Sequence, residues 1–346
     1  MIFRKAKKPL AVDIGSSQIK ALGLDGDASA PRVTSLAIET LPTDAIVGGE
    51  VMDYHLVVDA LRGLRERVAG KGRPVATAVS GRDVIVKRIK MDRMREQEAR
   101  QVIRWEAEQH VPFDMDSVNL DFEILDPEAD GLQMEVLLVA AKRDLIESRM
   151  RMFSEAGFDV GVIDLEAFAV ETAFEHGYDH SEYGAFCLVN VGREVTNLNL
   201  VENGRPLLTR DLPVGERRFV ESLVRELGIS SEEAAERLRA RDPGPDDRKA
   251  LAEAIESLVT PVERARSFMA AAEGGTARLD EVVLSGGGAT LPGLREAIAE
   301  RLQTEVTLMD PLRGLQVSPE DQLTIEQHGG SGIMAVAAGL ALRGKE

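Results

Sequence analysis

Two segments 177 residues apart repeat one pattern, and this duplication limits the possible folds more than any other feature of the chain. In the first, the apolar run Leu10-Ala-Val-Asp-Ile14 meets Gly15-Ser-Ser-Gln18 and resumes as Ile19-Lys-Ala-Leu-Gly-Leu24. In the second, Ala185 to Val191 meets Gly192-Arg-Glu-Val195 and resumes from Thr196 to Val201. Each reads as strand, tight turn, strand. Asp13-Ile14-Gly15 aligns with Asn190-Val191-Gly192. An offset near half the chain length predicts a duplicated domain, because solenoid repeats recur every 20–50 residues or so. Asn203-Gly204 predicts a hairpin turn into a further strand from Pro206 to Leu212.

Between the hairpins, strands are expected at Val75–Ser80 and Val84–Lys90, then a helix from Arg95 to His110 with Ala99, Val102, Ile103 and Ala107 on one face. Val118, Leu120, Phe122 and Ile124 alternate with polar residues as a half-buried strand does. A buried strand is expected at Gln133–Ala141 and a helix at Asp144–Ala156, stopped by Gly157. Helical patterns fill Glu216 to Ala272 around a loop at 242–247, and Glu281–Ser285 is a buried strand entering Gly286-Gly-Gly288. A helix from Leu291 to Leu302 follows, and the last helix spans Gly332 to Arg343. Mixed strands and helices in two similar halves predict a two-lobed α/β fold.

Charge and composition exclude several classes. The chain carries 42 basic against 59 acidic residues, a net charge of -17, which argues against nucleic-acid binding. Arg4, Lys5, Lys7 and Lys8 form a local basic cluster that reads as a solvated terminus, with contact to an anionic membrane as the alternative. Cys187 is the only cysteine, so no intrachain disulfide forms, and its apolar surroundings make it a core residue. No apolar run reaches the length of a bilayer span, and the start lacks the apolar stretch of a signal peptide, so a soluble cytoplasmic protein is expected.

A phosphate cradle needs close backbone N–H groups, hydroxyl donors and a carboxylate for the metal. Gly15, Ser16, Ser17, Lys20 and Asp13 supply that set, with Asp13 placed to hold Mg²⁺ through water. One Gly-Ser-Ser turn is equally well an ordinary hairpin. The second turn, with Gly192 and Thr196, and the Ser285-Gly-Gly-Gly288 segment add two more small-residue loops after buried strands, as a nucleotide between two lobes requires.

These motifs resemble those of the type IV pilus assembly PilM family, relatives of the cell-division protein FtsA and of actin. The resemblance spans nearly the whole chain. It is carried by Val12-Asp-Ile-Gly-Ser-Ser-Gln-Ile-Lys20, Glu106-Ala-Glu-Gln-His-Val-Pro-Phe113, Val139-Ala-Ala-Lys-Arg143, Asn203-Gly-Arg-Pro-Leu-Leu-Thr-Arg-Asp211, Leu284-Ser-Gly-Gly-Gly-Ala289 and Ala335-Val-Ala-Ala-Gly-Leu-Ala-Leu-Arg343. It implies an actin-like, ribonuclease H-like duplicated fold with an inserted subdomain of the FtsA type. The implied division is a first lobe in 1–87 and 162–184, interrupted by the inserted subdomain 88–161. The second lobe then comprises 185–214, a helical subdomain 215–278 and 279–330 with the adenosine loop, before the closing helix 331–346. FtsA-like proteins carry a C-terminal linker and amphipathic membrane helix; this sequence stops after the closing helix, which favours the pilus family.

The resemblance implies binding of ATP with Mg²⁺ and capture of the cytoplasmic tail of the inner-membrane protein PilN in a groove beside the inserted subdomain. It also implies peripheral attachment to the inner membrane through partners, and links to the pilus motor ATPase and platform protein; homo-oligomerisation is left open. Asp13, Gly15, Ser16, Ser17 and Lys20 match the first phosphate loop. Asn190, Gly192 and Thr196 match the second, Gly286, Gly287 and Gly288 approach the adenosine, and Glu236 and Arg239 flank the base. Candidate groove contacts are Ile85, Val86, Ile89, Val111 and Phe113.

Three positions depart from the family pattern. Asn190 replaces an Asp, Gly215-Glu216 a Gly-Gly pair, and Arg239 a Lys. A neutral amide supplies no charge to a metal, so nucleotide binding with slow or absent hydrolysis is expected. Glu166 either orients an attacking water or is a first-turn Glu favoured by the helix dipole. A polymerising FtsA-like protein and a small-molecule kinase of this fold are the alternatives. Filaments with ATP would mark the first, and phosphoryl transfer to a small molecule the second.

Overall fold

The computed structural model describes residues 8–27, 30–68, 72–127, 131–180, 183–239, 244–271 and 278–343. Arg4, Lys5 and Lys7, positions 242–243 of the expected loop and residues 344–346 lie outside them. Two five-stranded sheets face each other with two helices between, and a small third sheet flanks the first.

The first sheet uses β1 (Leu10–Ile14), β2 (Gln18–Asp25), β3 (Arg32–Thr40), β6 (Val75–Val79) and β10 (Val160–Leu165), in the order β10-β6-β1-β2-β3. A short ribbon, β4 (Ile46–Val47) with β5 (Glu50–Val51), and helix α1 (Tyr54–Arg67) lie between β3 and β6. The small sheet, ordered β7-β9-β8, contains β7 (Val84–Asp92), β8 (Val118–Ile124) and β9 (Gln133–Lys142), with helix α2 (Glu96–Glu108) on one face. Helix α3 (Arg143–Glu155) leads back to β10, and α4 (Glu166–Gly177) leads to the second lobe.

The second sheet has β11 (Ala185–Val191), β12 (Thr196–Glu202), β13 (Arg205–Leu212), β14 (Glu281–Ser285) and β15 (Glu305–Leu308), in the order β13-β12-β11-β14-β15. Helices α5 (Glu216–Leu227), α6 (Ser231–Arg239) and α7 (Pro245–Ala271) separate β13 from β14; α8 (Leu294–Leu302) separates β14 from β15. Helices α9 (Pro319–Gln327) and α10 (Ala335–Leu342) close the chain. Read outward from the hairpin, the two sheets have one topology. The hairpin strands are antiparallel, the first runs parallel to a third strand, and that strand runs parallel to a fourth.

The duplication read from two hairpins therefore extends to whole sheets, and it exposes a further correspondence. The strand parallel to each first hairpin strand ends in Ser-Gly: Ser80-Gly81 after β6 and Ser285-Gly286 in the other lobe. Both glycines have positive φ, +98° and +87°, so the chain turns back at the same point of each lobe.

Alternation within the central strands decides what covers each face. Leu10, Val12 and Ile14 of β1 join Val57, Leu61, Met152 and Phe153 from α1 and α3, while Ala11 joins the core between the lobes. Both faces being buried explains the unbroken apolar run of this strand. In the second lobe, Cys187, Val189 and Val191 pack under α5 and α7, whereas Phe186 and Leu188 face inward. Between the sheets, α10 lies on β1 and β2, and α4 lies on β11 and β12. The two helices touch through Gly339, where a Cβ would stand 1.6 Å from the Ala169 carbonyl oxygen. Only glycine permits that approach.

The inserted segment differs from the sequence division at both ends. Strand β7 begins at Val84, so the boundary expected at 87/88 falls inside it, and α3 packs Met152 and Phe153 into the first lobe's own core. Helix α8 starts at Leu294, because Leu291 closes a turn by accepting from the Leu294 N–H. Among the described residues, no helix is long and apolar enough to cross a membrane.

Candidate functional site

The two hairpin turns close identically. The Gly15 N–H donates to the Gln18 carbonyl at 3.0 Å, and the Gly192 N–H donates to the Val195 carbonyl at 3.0 Å. Both turns line one cleft between the lobes, with Asp13, Ser16, Ser17 and Lys20 on one wall and Asn190, Arg193, Gly286 and Gly287 on the other. Its enclosed volume is about 110 Å³. That is room for phosphate groups.

On the first wall, Lys20 Nζ stands 2.7 Å from Asp13 Oδ2, with side chains 11% and 5% exposed. These residues face each other across β1 and β2. At the same positions of the second hairpin, Asn190 faces Asn197, and its Nδ2 donates to Asn197 Oδ1 at 2.9 Å. Ser285 Oγ donates to Asn190 Oδ1 at 3.2 Å, so the Asn190 amide is held on both sides. Asn197 Nδ2 donates to Asp211 Oδ1 at 2.8 Å, and the other Asp211 oxygen accepts from the Gly81 N–H at 2.5 Å. This polar chain crosses from β14 to the Ser80-Gly81 loop of the other lobe.

The glycine loop after β14 is pressed close. A Cβ on Gly286 would lie 2.3 Å from the Val191 carbonyl oxygen, and its N–H donates to the Gly332 carbonyl at 3.0 Å. Gly286 and Gly287 line the cleft; Gly288 instead packs on the Val191 side chain. The first amides of α5 are not free, because Glu216 N–H and Arg217 N–H donate to the Gly192 and Arg193 carbonyls at 3.0 and 2.9 Å.

Besides Gly288, three expected residues lie outside the cleft lining. Thr196 is fully buried and donates its hydroxyl to the Val214 carbonyl at 2.7 Å, a structural bond that uses its proton. Glu236 and Arg239 sit exposed on α6. Glu166 does line the cleft, half-buried at the start of α4. Burial first, then the charges of Asp13 and Asp211, push its carboxyl up to about 7, against a hydrogen bond from Ser80 and the charge of Arg149.

Two polar cleft residues outside every motif escape a reading of the sequence, Ser80 and Arg149. Arg149 is 7% exposed, and its Nε and Nη1 have no hydrogen-bond partner among the described residues. Its signal was positional: Arg149 falls on the buried stripe of α3 with Met152 and Phe153, while neighbouring Met150 is exposed. A guanidinium on an apolar face marks an unmet need for an anion.

A larger groove of about 800 Å³ opens beside the cleft and shares Glu166 with it. One wall is β7 from Val84 to Lys90 and the other is β13 from Pro206 to Asp211, each an edge strand of its sheet. Ile85, Val86 and Ile89 line the groove. Val111 does not; it is 5% exposed in the core of the small sheet. Phe113 lines a separate cavity with Trp105 and Met115, its ring 4.9 Å from Lys142 Nζ. Phe268 of α7, 47% exposed, adds an aromatic ring to the groove.

The residues fit a nucleotide with its metal: a carboxylate, hydroxyls, a cradle that a Cβ would fill, and an orphaned buried cation. Comparison with known proteins agrees with this geometry. The family described as type IV pilus assembly protein PilM matches residues 11–345. The cell division protein FtsA of Bacillus subtilis is 23% identical and aligns with 87% of this chain and 78% of its own length. The solved PilM–PilN type IV pilus biogenesis complex is 25% identical with a TM-score of 0.85, covering 98% of this chain and 99% of that one. An MreB of Spiroplasma citri, solved with AMPPNP, has a TM-score of 0.52 at 11% identity over 97% of this chain and 95% of that one. The fold is that of the actin-like ATPases.

Proposed function

The chain belongs to the type IV pilus assembly protein PilM family, and from that premise we propose that it is a nucleotide-binding adaptor docking the cytoplasmic tail of PilN at the pilus assembly platform. The observation that carries the reading is the pairing of the two openings. A cleft lined by both hairpin turns and a groove between edge strands β7 and β13 meet at Glu166.

In the cleft, Ser16, Ser17 and their turn amides hold ATP phosphates from one side and the Gly287 backbone from the other, while Gly286 lets the chain pass close. Asp13 would hold Mg²⁺, which would neutralise phosphate charge when bound. Lys20 holds the Asp13 carboxylate in position through their 2.7 Å contact. Asn190 gives no matching carboxylate, since both ends of its amide are engaged within the second lobe. Binding without appreciable turnover follows, and it suits a scaffold whose nucleotide is a structural ligand.

In the groove, an extended tail runs along two strand edges whose backbone groups are available for pairing. Ile85, Val86 and Phe268 supply apolar contact, and Lys87, Arg88 and Arg210 set charge preference along the walls. Docking there brings the chain to the inner membrane through its partner and joins it to the pilus motor. Calorimetric titration with a peptide copying the PilN N-terminus, with and without Mg-ATP, tests the assignment. Saturable binding weakened in Val86→Asp and unchanged in Phe113→Ala is the expected result, and no heat in either condition would overturn it.

A further inference from the structure

Arg149 stands on α3, the helix that carries the chain from the small sheet back to the first lobe. Arg149 lines the cleft with Asp13, Ser80 and Glu166, yet among the described residues its Nε and Nη1 have no hydrogen-bond partner. The charges of Glu166 and Asp13 offset part of its burial, but neither carboxylate gives Nε or Nη1 a hydrogen bond. Asp13 is held by Lys20 at 2.7 Å, and Glu166 takes its hydrogen bond from Ser80. Burying two N–H groups without hydrogen-bond partners is costly, and the oxygens of an arriving anion would relieve that cost.

We propose that Arg149 binds the terminal phosphate of a nucleoside triphosphate and distinguishes it from a diphosphate. This rests on the reading of the cleft as a nucleotide site and adds the specificity of that site. The planar fork of Arg149 suits two oxygens of one phosphate. Ser80, Glu166 and Asp13 gather around it at the ends of first-lobe strands, whereas the Gly286–Gly287 loop rises from the second lobe. The phosphate farthest from that loop is therefore the one within reach of Arg149. Because α3 follows β9, and β9 pairs along the whole of groove strand β7, engagement of Arg149 gives the small sheet a fixed link to the state of the nucleotide.

The test compares wild type, Arg149→Met and Arg149→Lys, full-length, by calorimetry with Mg-ATP and Mg-ADP and by thermal melting. In Arg149→Met, ATP affinity is expected to fall about tenfold or more and ADP affinity by less than about threefold, as loss of a charge-assisted contact predicts. Arg149→Lys should recover part of the difference. Without ligand, Arg149→Met should melt within about 5 °C of wild type, because removing two unbonded buried N–H groups offsets the lost attraction to Glu166 and Asp13, while losing most of the ATP-induced rise. Equal loss of ATP and ADP affinity, or no loss, would overturn the inference. So would an unliganded melting point lowered by about 5 °C or more with the ATP-induced rise retained, the mark of a structural arginine. A wild-type protein that binds neither nucleotide overturns the nucleotide reading itself, and is told apart because the parent gives no heat.

Discussion

Asn190 donates its amide N–H to Asn197 Oδ1 at 2.9 Å, at the positions where the first hairpin sets Lys20 against Asp13 at 2.7 Å. The duplicated hairpins keep the backbone and differ in charge. One carries a buried ion pair beside the cleft, and the other a pair of amides continued through Ser285 and Asp211. Only the first lobe thus places a carboxylate at this facing pair of strand positions, and the two lobes hold different parts of one ligand.

Substituting Asn190→Asp places an acceptor where Asn197 Oδ1 needs a donor. Turning the Asn197 amide to restore that bond forfeits its donation to Asp211. Without ligand the variant should lose about 1–3 kcal/mol of stability in urea melts, with part restored by Mg²⁺. The parent should hydrolyse ATP no faster than Asp13→Ala; a clearly higher steady rate would refute the assignment of Asn190 as the reason for weak turnover.

Lys20→Met leaves the Asp13 carboxylate nearly buried without its cation. Removing one member of such a pair costs about 3 kcal/mol, read as a shift of the urea midpoint. The double variant Asp13→Asn/Lys20→Met should recover more than half of that loss, a coupling expected only of residues in direct contact. Additive effects would mean that the pair does not interact.

Glu171 of α4 lies against β12, where its Oε2 accepts from Asn199 Nδ2 at 2.8 Å. Burial, then the charge of Glu175, pushes its carboxyl up to about 8, against the pull of that hydrogen bond. The folded chain therefore binds this proton more tightly than the unfolded chain does. Stability is greatest below the ordinary glutamate range and declines as pH rises from about 4.5 to 8, by up to about 1.4 kcal/mol per pH unit for this group. Glu171→Gln, which keeps an acceptor for Asn199, should melt higher than the parent at pH 8 and show a flatter dependence below it. An unchanged profile would mean that Glu171 is ionised in the fold.

Phe268 is half exposed on the rim of the groove, so its loss should disturb folding little and docking much. Phe268→Ala is expected to weaken the PilN peptide about tenfold while changing stability by less than about 1 kcal/mol. Equal affinity in the variant would move the tail away from this wall.

The parts of this molecule legible in its sequence are those where a local pattern has one meaning. The hairpin at Asp13 and its copy at Asn190 were visible because turn, apolar alternation and spacing agree. Strand Glu281–Ser285 was visible because five buried residues run into glycines. Strand β3 and helices α1 and α9 were not read, although Asp53 before α1 and Ser318-Pro319 at α9 are sequence-visible helix starts. Within the candidate site, Thr196 looked available because sequence cannot show that the Val214 carbonyl takes its hydroxyl. Arg149 was hidden for the opposite reason. Its neighbours in the cleft come from β1 and α4, far from it along the chain, and only the fold makes its lack of a partner visible.

The most direct test is calorimetric titration of the wild-type chain and Asp13→Asn with Mg-ATP. Gripping of phosphates by two opposed turns predicts saturable one-to-one binding in the micromolar range, weakened at least about tenfold in the variant. No saturation at millimolar nucleotide, or one affinity for both proteins, would contradict it.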